Sequence, residues 1–293
     1  MRHNAPMRRA LPFIFLAFSC VLAGCGEKAV QLPQREKIYH SIVSLSPGTS
    51  EIVASDGDPQ TLKGRTASCD WPPNIMAHVP IVANVKPDYE RIQQIAPDLI
   101  VYDPDLYSAQ DIDKLKATGA ELFAFDAETV ESFMHELYTL GSKLGQETRF
   151  NDYGERIRVE QQNALASPFN PPPKVAIVMP NDDGKDYIAG TDGFLGDLVK
   201  TAGGKLLGPS GKIFVPLNAE AFVALNPDVI IVGGTKADMR PAQSLVADPR
   251  FKTINAIKND KVRAIDSDVL YRKGQRVDTL VKDVHLLIGS NRS

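Results

Sequence analysis

Two glutamates, Glu90 and Glu220, open the same twelve-residue pattern. Glu90-Arg91-Ile92-Gln93-Gln94-Ile95-Ala96-Pro97-Asp98-Leu99-Ile100-Val101 matches Glu220-Ala221-Phe222-Val223-Ala224-Leu225-Asn226-Pro227-Asp228-Val229-Ile230-Ile231 without a gap. Apolar residues three apart share one face of a short helix. The proline disfavours the helical region for the residue before it, and the aspartate favours a turn into the following strand. The match predicts a structural duplication, one helix–strand unit in each half of the chain. Its chemistry is a matched pair of carboxylates. They suit docking onto a symmetric partner that carries basic groups, and equally they suit the positive end of a helix. The repeat alone leaves both readings open.

No catalytic constellation accompanies these acids. The chain has no Gly-x-Ser-x-Gly elbow. Gly211-Lys212 is followed by Ile213, and Leu206 stands where a phosphate-binding loop needs its first glycine. Asp182-Asp183 and Asp266/Asp268 are paired acids near turns, with no base or nucleophile to assign beside them. A direct zinc or manganese receptor needs three or four convergent ligands, whereas His40, His78, His135 and His285 are scattered. We expect neither an enzyme nor a metal-ion receptor, and no cofactor. A net charge of −3 with 43% hydrophobic residues offers no electrostatic case for nucleic acid.

The N-terminus carries a different chemistry. Arg2, Arg8 and Arg9 precede an apolar run over 11–22, too short to cross a bilayer as a helix. It ends in Leu22-Ala23-Gly24-Cys25, which resembles the lipobox of bacterial lipoproteins. That reading makes 1–24 a signal peptide and Cys25 a lipidated N-terminus, in preference to an ordinary secretory signal cleaved nearby. Acyl chains would then anchor the protein stably to a membrane of the cell envelope. Residues 25–37 read as the lipidated cysteine and a flexible tether. Cys20 leaves with the signal, so Cys69 is the one remaining thiol, expected to be a small buried filler in preference to a ligand contact.

The elements that must position these groups alternate strand and helix. Residues 42–45, 99–102 and 122–125 read as strands, the last two as apolar runs buried on both faces of a parallel sheet. Between them 109–118 has helical spacing and stops at Gly119. Ser46 or Thr49 can cap a short helix after the first strand. After Pro171-Pro172-Pro173 a second set begins: strands over 174–179, 229–232 and 262–265, and a helix over 194–202. Two helices, over 129–144 and 148–165, separate the sets. In the second, Phe150, Tyr153, Ile157 and Ala164 share a face. The expected fold is α/β: two Rossmann-like lobes, 38–146 and 169–293, each with its own core. A single long helix within 147–168 joins them, with a ligand groove between.

The order and spacing of these landmarks resemble the helical-backbone class of periplasmic binding proteins, which serve ABC importers. The residues that carry the resemblance are Ile42-Val43-Ser44-Leu45-Ser46-Pro47 with Glu51, Cys69-Asp70-Trp71-Pro72-Pro73, Pro87 to Ile92, Pro97 to Val101, and 220–232. The Asp-aromatic-Pro-Pro stretch is most similar to the cobalamin-binding members. The resemblance implies a monomeric receptor that captures a metal chelate, a corrinoid favoured over a ferric siderophore or haem. It implies delivery to a permease dimer whose arginines meet Glu90 and Glu220. It also implies a cleft lined by loops after the strands, here 46–50, 68–71, 84–86, 102–107, 182–187 and 268–272. On this chain those loops offer Ser46, Pro47, Ser68, Asp70, Trp71, Asn84, Lys86, Tyr102, Tyr107, Tyr187, Tyr271 and Arg272 as ligand contacts. The aromatics could stack on a flat macrocycle. Lys86 and Arg272 could meet an anionic chelate. Asn84 and Ser68 stand where the cobalamin pattern has aromatics.

Overall fold

The computed structural model describes residues 37–180, 186–234 and 240–290. The expected signal segment, Cys25 and Asp182-Asp183 lie outside them. The N-terminal lobe runs β1 (Ile42–Ser44), α1 (Pro47–Ser55), β2 (Leu62–Thr66), α2 (Pro73–Met76), β3 (Ile81–Ala83), α3 (Tyr89–Ile95), β4 (Leu99–Tyr102), α4 (Ala109–Lys116) and β5 (Glu121–Ala124). Its sheet has the order β3-β2-β1-β4-β5, with every pairing parallel. Ser46 is the capping residue of α1: its Oγ accepts from the Thr49 amide at 3.2 Å.

Two helices follow, α5 (Val130–Lys143) and α6 (Glu147–Ala166). The capping box at Thr129 and Ser132 starts α5. At 20 residues α6 is about 30 Å long. It buries the face expected of it, Phe150, Tyr153, Ile157 and Ala164.

The C-terminal lobe runs β6 (Lys174–Met179), β7 (Tyr187–Ala189), α7 (Phe194–Thr201), β8 (Lys205–Leu206), β9 (Phe214–Pro216), α8 (Ala219–Leu225), β10 (Val229–Gly234), α9 (Arg240–Ala247), α10 (Asn255–Lys258), β11 (Val262–Asp266), α11 (Ser267–Tyr271) and α12 (Val277–Gly289). Its sheet, β11-β10-β6-β7-β9 with β8 beside β6, is mixed. β7 runs antiparallel to both β6 and β9. The lobes are thus unlike in their sheets although they share the α3–β4 and α8–β10 unit.

One expectation is corrected by the packing: the lobes do not each have a separate core. One hydrophobic cluster contains Ile42 and Leu99 of the first sheet, Val175 and Val229 of the second, and the inner faces of α5, α6 and α12. Phe133 on α5 is its link. The ring lies 5.4 Å from Phe125, 6.2 Å from Tyr153 and 6.0 Å from Phe194, so aromatic contacts run from one lobe to the other. Smaller clusters cover the outer face of each sheet.

Candidate functional site

The duplicated unit comes first. Asp88 caps α3 and Asn218 caps α8, each side chain accepting from the amide three residues on. Glu90 and Glu220 are therefore the second residues of two seven-residue helices, both exposed. Each helix ends in a left-handed residue, Ala96 at φ 48° and Asn226 at φ 45°. The aspartate after the proline does more than turn the chain. Asp98 accepts from the His40 and Ser41 amides at 3.0 and 2.9 Å, and Asp228 from the Lys174 amide at 3.0 Å. Asp98 ties its unit to the residues just before β1, and Asp228 ties its unit to the first residue of β6.

At the junction of the lobes, the backbone at Lys273 and Gly274 presses against α1. A side chain at Gly48 would collide with the Lys273 carbonyl, and one at Gly274 with the Glu51 carboxylate. Tyr153 on α6 donates to the Gly274 carbonyl at 2.6 Å and accepts from the Val277 amide at 2.9 Å. Glu51, fully buried, accepts from Arg276 at 2.8 Å and from Arg272 at 3.3 Å. Burial pushes the Glu51 carboxyl up, against the opposing pull of Arg276 and Arg272. Arg272 also meets Asp70 at 2.6 Å and Asp268 at 2.8 Å. Partial burial raises Asp70, but the Arg272 hydrogen bond and charge outweigh it and leave Asp70 below its usual range. Arg276 stacks over Trp71, 5.4 Å from the ring centre.

Beside this junction a groove opens, with a cavity of about 280 Å³. From the N-terminal lobe it takes Asp103, Asp105 and Leu106 after β4, and Ala127 and Glu128 after β5. The other wall carries Phe194 and Leu195 at the start of α7, Phe214 on β9, and Leu270 and Tyr271 on α11. Phe214 and Tyr271 meet edge to face at 5.3 Å. Two lysines cross between the walls: Lys212 pairs with Glu128, and Lys273 with Asp103 at 2.8 Å and Asp105 at 3.5 Å. Asp192 completes the lining, held by the Gly211 amide at 2.8 Å and Ser210 Oγ at 3.1 Å. Those bonds keep its carboxyl below the usual range.

Of the ligand contacts expected from sequence, Tyr271 lines this groove. The others stand elsewhere. Ser46 is buried in its cap, with Pro47 beside it. Tyr107 donates to the Leu45 carbonyl at 2.6 Å, and Tyr102 packs on the same outer cluster. Tyr187 sits half-buried in β7. Ser68, Asn84 and Lys86 are exposed outside the lining, and Asp70 and Trp71 face the junction arginines. Arg272, expected to face a ligand anion, is already shared among three carboxylates. Cys69 is a buried filler, its thiol against Met76 Sδ at 3.6 Å and pushed by burial to about 11. Asp266 and Asp268 are also absorbed locally: Asp266 accepts from the Asp268 amide at 3.0 Å. Among the described residues, no group of three or more His, Cys, Asp or Glu side chains could hold a metal ion.

Asp103, Asp105 and Leu106 fall inside a loop that sequence reasoning assigned to the cleft, and so does Leu270. Phe194, Phe214, Glu128, Asp192 and the two lysines were missed. The mixed strand order brings Phe214 to the groove, and nothing in its immediate neighbours announces it.

Two α/β lobes fused through a long helix, with a groove between them, define the architecture of a class III solute-binding protein. A family model for periplasmic binding proteins matches residues 42–269, and the chain belongs to that family. It is 24% identical to an uncharacterized ABC transporter substrate-binding lipoprotein, YvrC, of Bacillus subtilis, over 89% of this chain and 91% of that one. The fold is also similar to a periplasmic heme binding protein from Pseudomonas aeruginosa (TM-score 0.70, 21% identity, 87% of this chain and 95% of that one). A further likeness is to the periplasmic vitamin B12 binding protein BtuF of Vibrio cholerae (TM-score 0.71, 19% identity, 85% and 96%).

Proposed function

We propose that this chain is the extracytoplasmic, lipid-anchored receptor of an ABC importer, capturing a metal chelate and handing it to a permease dimer. The observation that carries this reading is the groove between the lobes, walled on one side by Phe194, Phe214 and Tyr271 and on the other by the loops after β4 and β5. A concave site with aromatic surface and a few placed polar groups suits capture of a rigid ligand. The names of two relatives in the fold, one for haem and one for vitamin B12, support a flat metal macrocycle. The Asp70-Trp71-Pro72-Pro73 stretch favours a corrinoid. Delivery falls to Glu90 and Glu220, exposed on matching helices and without a hydrogen bond to any described residue. Arginines of a symmetric permease suit them. Anchoring falls to Cys25, in keeping with the lipoprotein name of the Bacillus relative.

Calorimetric titration of the body that starts after Cys25, against cobalamin, cobinamide, haem and ferric siderophores, tests this directly. Saturable binding of a corrinoid is the expected result. Binding of an iron chelate alone would keep the receptor and change its cargo. Silence across the panel would overturn the reading.

A further inference from the structure

The charges that face the groove are not those of an anion site. Four carboxylates, Asp103, Asp105, Glu128 and Asp192, line it against two lysines, Lys212 and Lys273. Both lysines already meet carboxylates of the opposite wall. The other two cations with a claim on the ligand are also committed or absent. Arg272 is shared among Glu51, Asp70 and Asp268, and Lys86 is not part of the lining. Asp192, fixed by the Gly211 amide and Ser210, adds a further negative charge that no described lysine or arginine neutralises. The rest of the surface is apolar: Leu106, about half exposed, faces Phe194, Leu195 and Phe214 across the opening.

Resting on the receptor reading above, we infer that the groove takes a chelate of neutral or positive net charge and discriminates against polyanionic ones. A polyanion entering here would meet two uncompensated carboxylates. It could recruit Lys212 or Lys273 only by stripping them from Glu128 or Asp103, which leaves those carboxylates unpaired. A cationic chelate meets the reverse situation: its charge satisfies the wall carboxylates, while its apolar body lies on Phe214 and Tyr271. A neutral, amide-rimmed chelate is tolerated because the paired side chains can stay in place. Specificity then comes from repulsion built into the groove as much as from attraction.

The test uses four probes of graded charge on the same soluble body: diaquacobinamide and ferrioxamine B as cations, cyanocobalamin as a neutral corrinoid, and a ferric tris-catecholate as a polyanion. The better cationic or neutral probe should bind at least about tenfold more tightly than the tris-catecholate at low salt. Added salt should weaken the cations. The double variant D105N/E128Q removes two groove charges, and it should narrow or reverse the preference while leaving the unfolding midpoint nearly unchanged. Tighter binding of the tris-catecholate, or a preference that D105N/E128Q does not move, would overturn the charge inference and leave the receptor standing. Absence of binding by all four would overturn this inference, and silence of haem as well would remove the receptor reading with it.

Discussion

The lobes are bridged by charge in two places, and the two bridges differ in burial. At the junction, Glu51 lies fully buried beneath Arg272 and Arg276, whose side chains are 13% and 16% exposed. At the groove, Lys212 and Glu128 are each 45% exposed, whereas Lys273 and Asp103, 16% and 13% exposed, are buried like the junction arginines. Desolvated charges with fixed partners are expensive to separate, whereas exposed pairs contribute about 0–1 kcal/mol. The junction therefore acts as a fixed seam, backed by Phe133 and by the Tyr153 hydroxyl between Gly274 and Val277. The groove mouth is held by the exposed Lys212–Glu128 pair, which a ligand can displace, while Lys273–Asp103 extends the seam to the groove's edge. This separation suits a receptor that adjusts its opening slightly while keeping constant the spacing of α3 and α8, the two helices proposed to dock.

The contrast can be broken most strongly beneath the seam. Phe133→Ala empties a buried ring site between the lobes and should cost about 4 kcal/mol in denaturant unfolding. Glu51→Gln is next, at about 3 kcal/mol, because it leaves two arginines without their shared carboxylate. Asp56, at the C-terminal end of α1 near the same seam, sharpens the comparison through pH. Burial, against the pull of Arg156, pushes its carboxyl up to about 6, well above its unfolded value of 3.8. The folded state thus holds this proton more tightly than the unfolded chain, and the associated stability is lost as pH rises from about 4 to about 6. Asp56→Asn should therefore stabilise by about 2 kcal/mol near neutral pH and by little near pH 4. A gain that is equal at both pH values would contradict this. Glu128→Gln, at the mouth, should change stability by less than about 1 kcal/mol. A larger loss would mean that the groove pairs belong to the seam.

Sequence made some of this legible and hid the rest for physical reasons. The α3–β4 and α8–β10 units were readable because their signals are local: a cap, apolar residues three apart, and Pro-Asp within twelve residues. The buried face of α6 followed from helical spacing. β2 and β3 were not assigned, since Leu62-Lys63-Gly64-Arg65-Thr66 carries too little apolar pattern and β3 has three residues. The mixed pairing of β7 and β9 depends on which strands meet, which no local run reports. The site divides in the same way. Tyr271 and the Asp103–Leu106 loop, which line the groove, could be placed near it from sequence because they follow strands. Arg272 looked like an anion anchor because its neutralising partners Asp70 and Glu51 lie 202 and 221 positions away in the chain.

The central claim is that the groove captures while the duplicated glutamates deliver. It is tested most directly by the double charge reversal E90R/E220R, read by ligand uptake in cells and by titration of the purified protein in parallel. Lost uptake with unchanged ligand affinity is the predicted result. Uptake that survives both reversals would contradict the account.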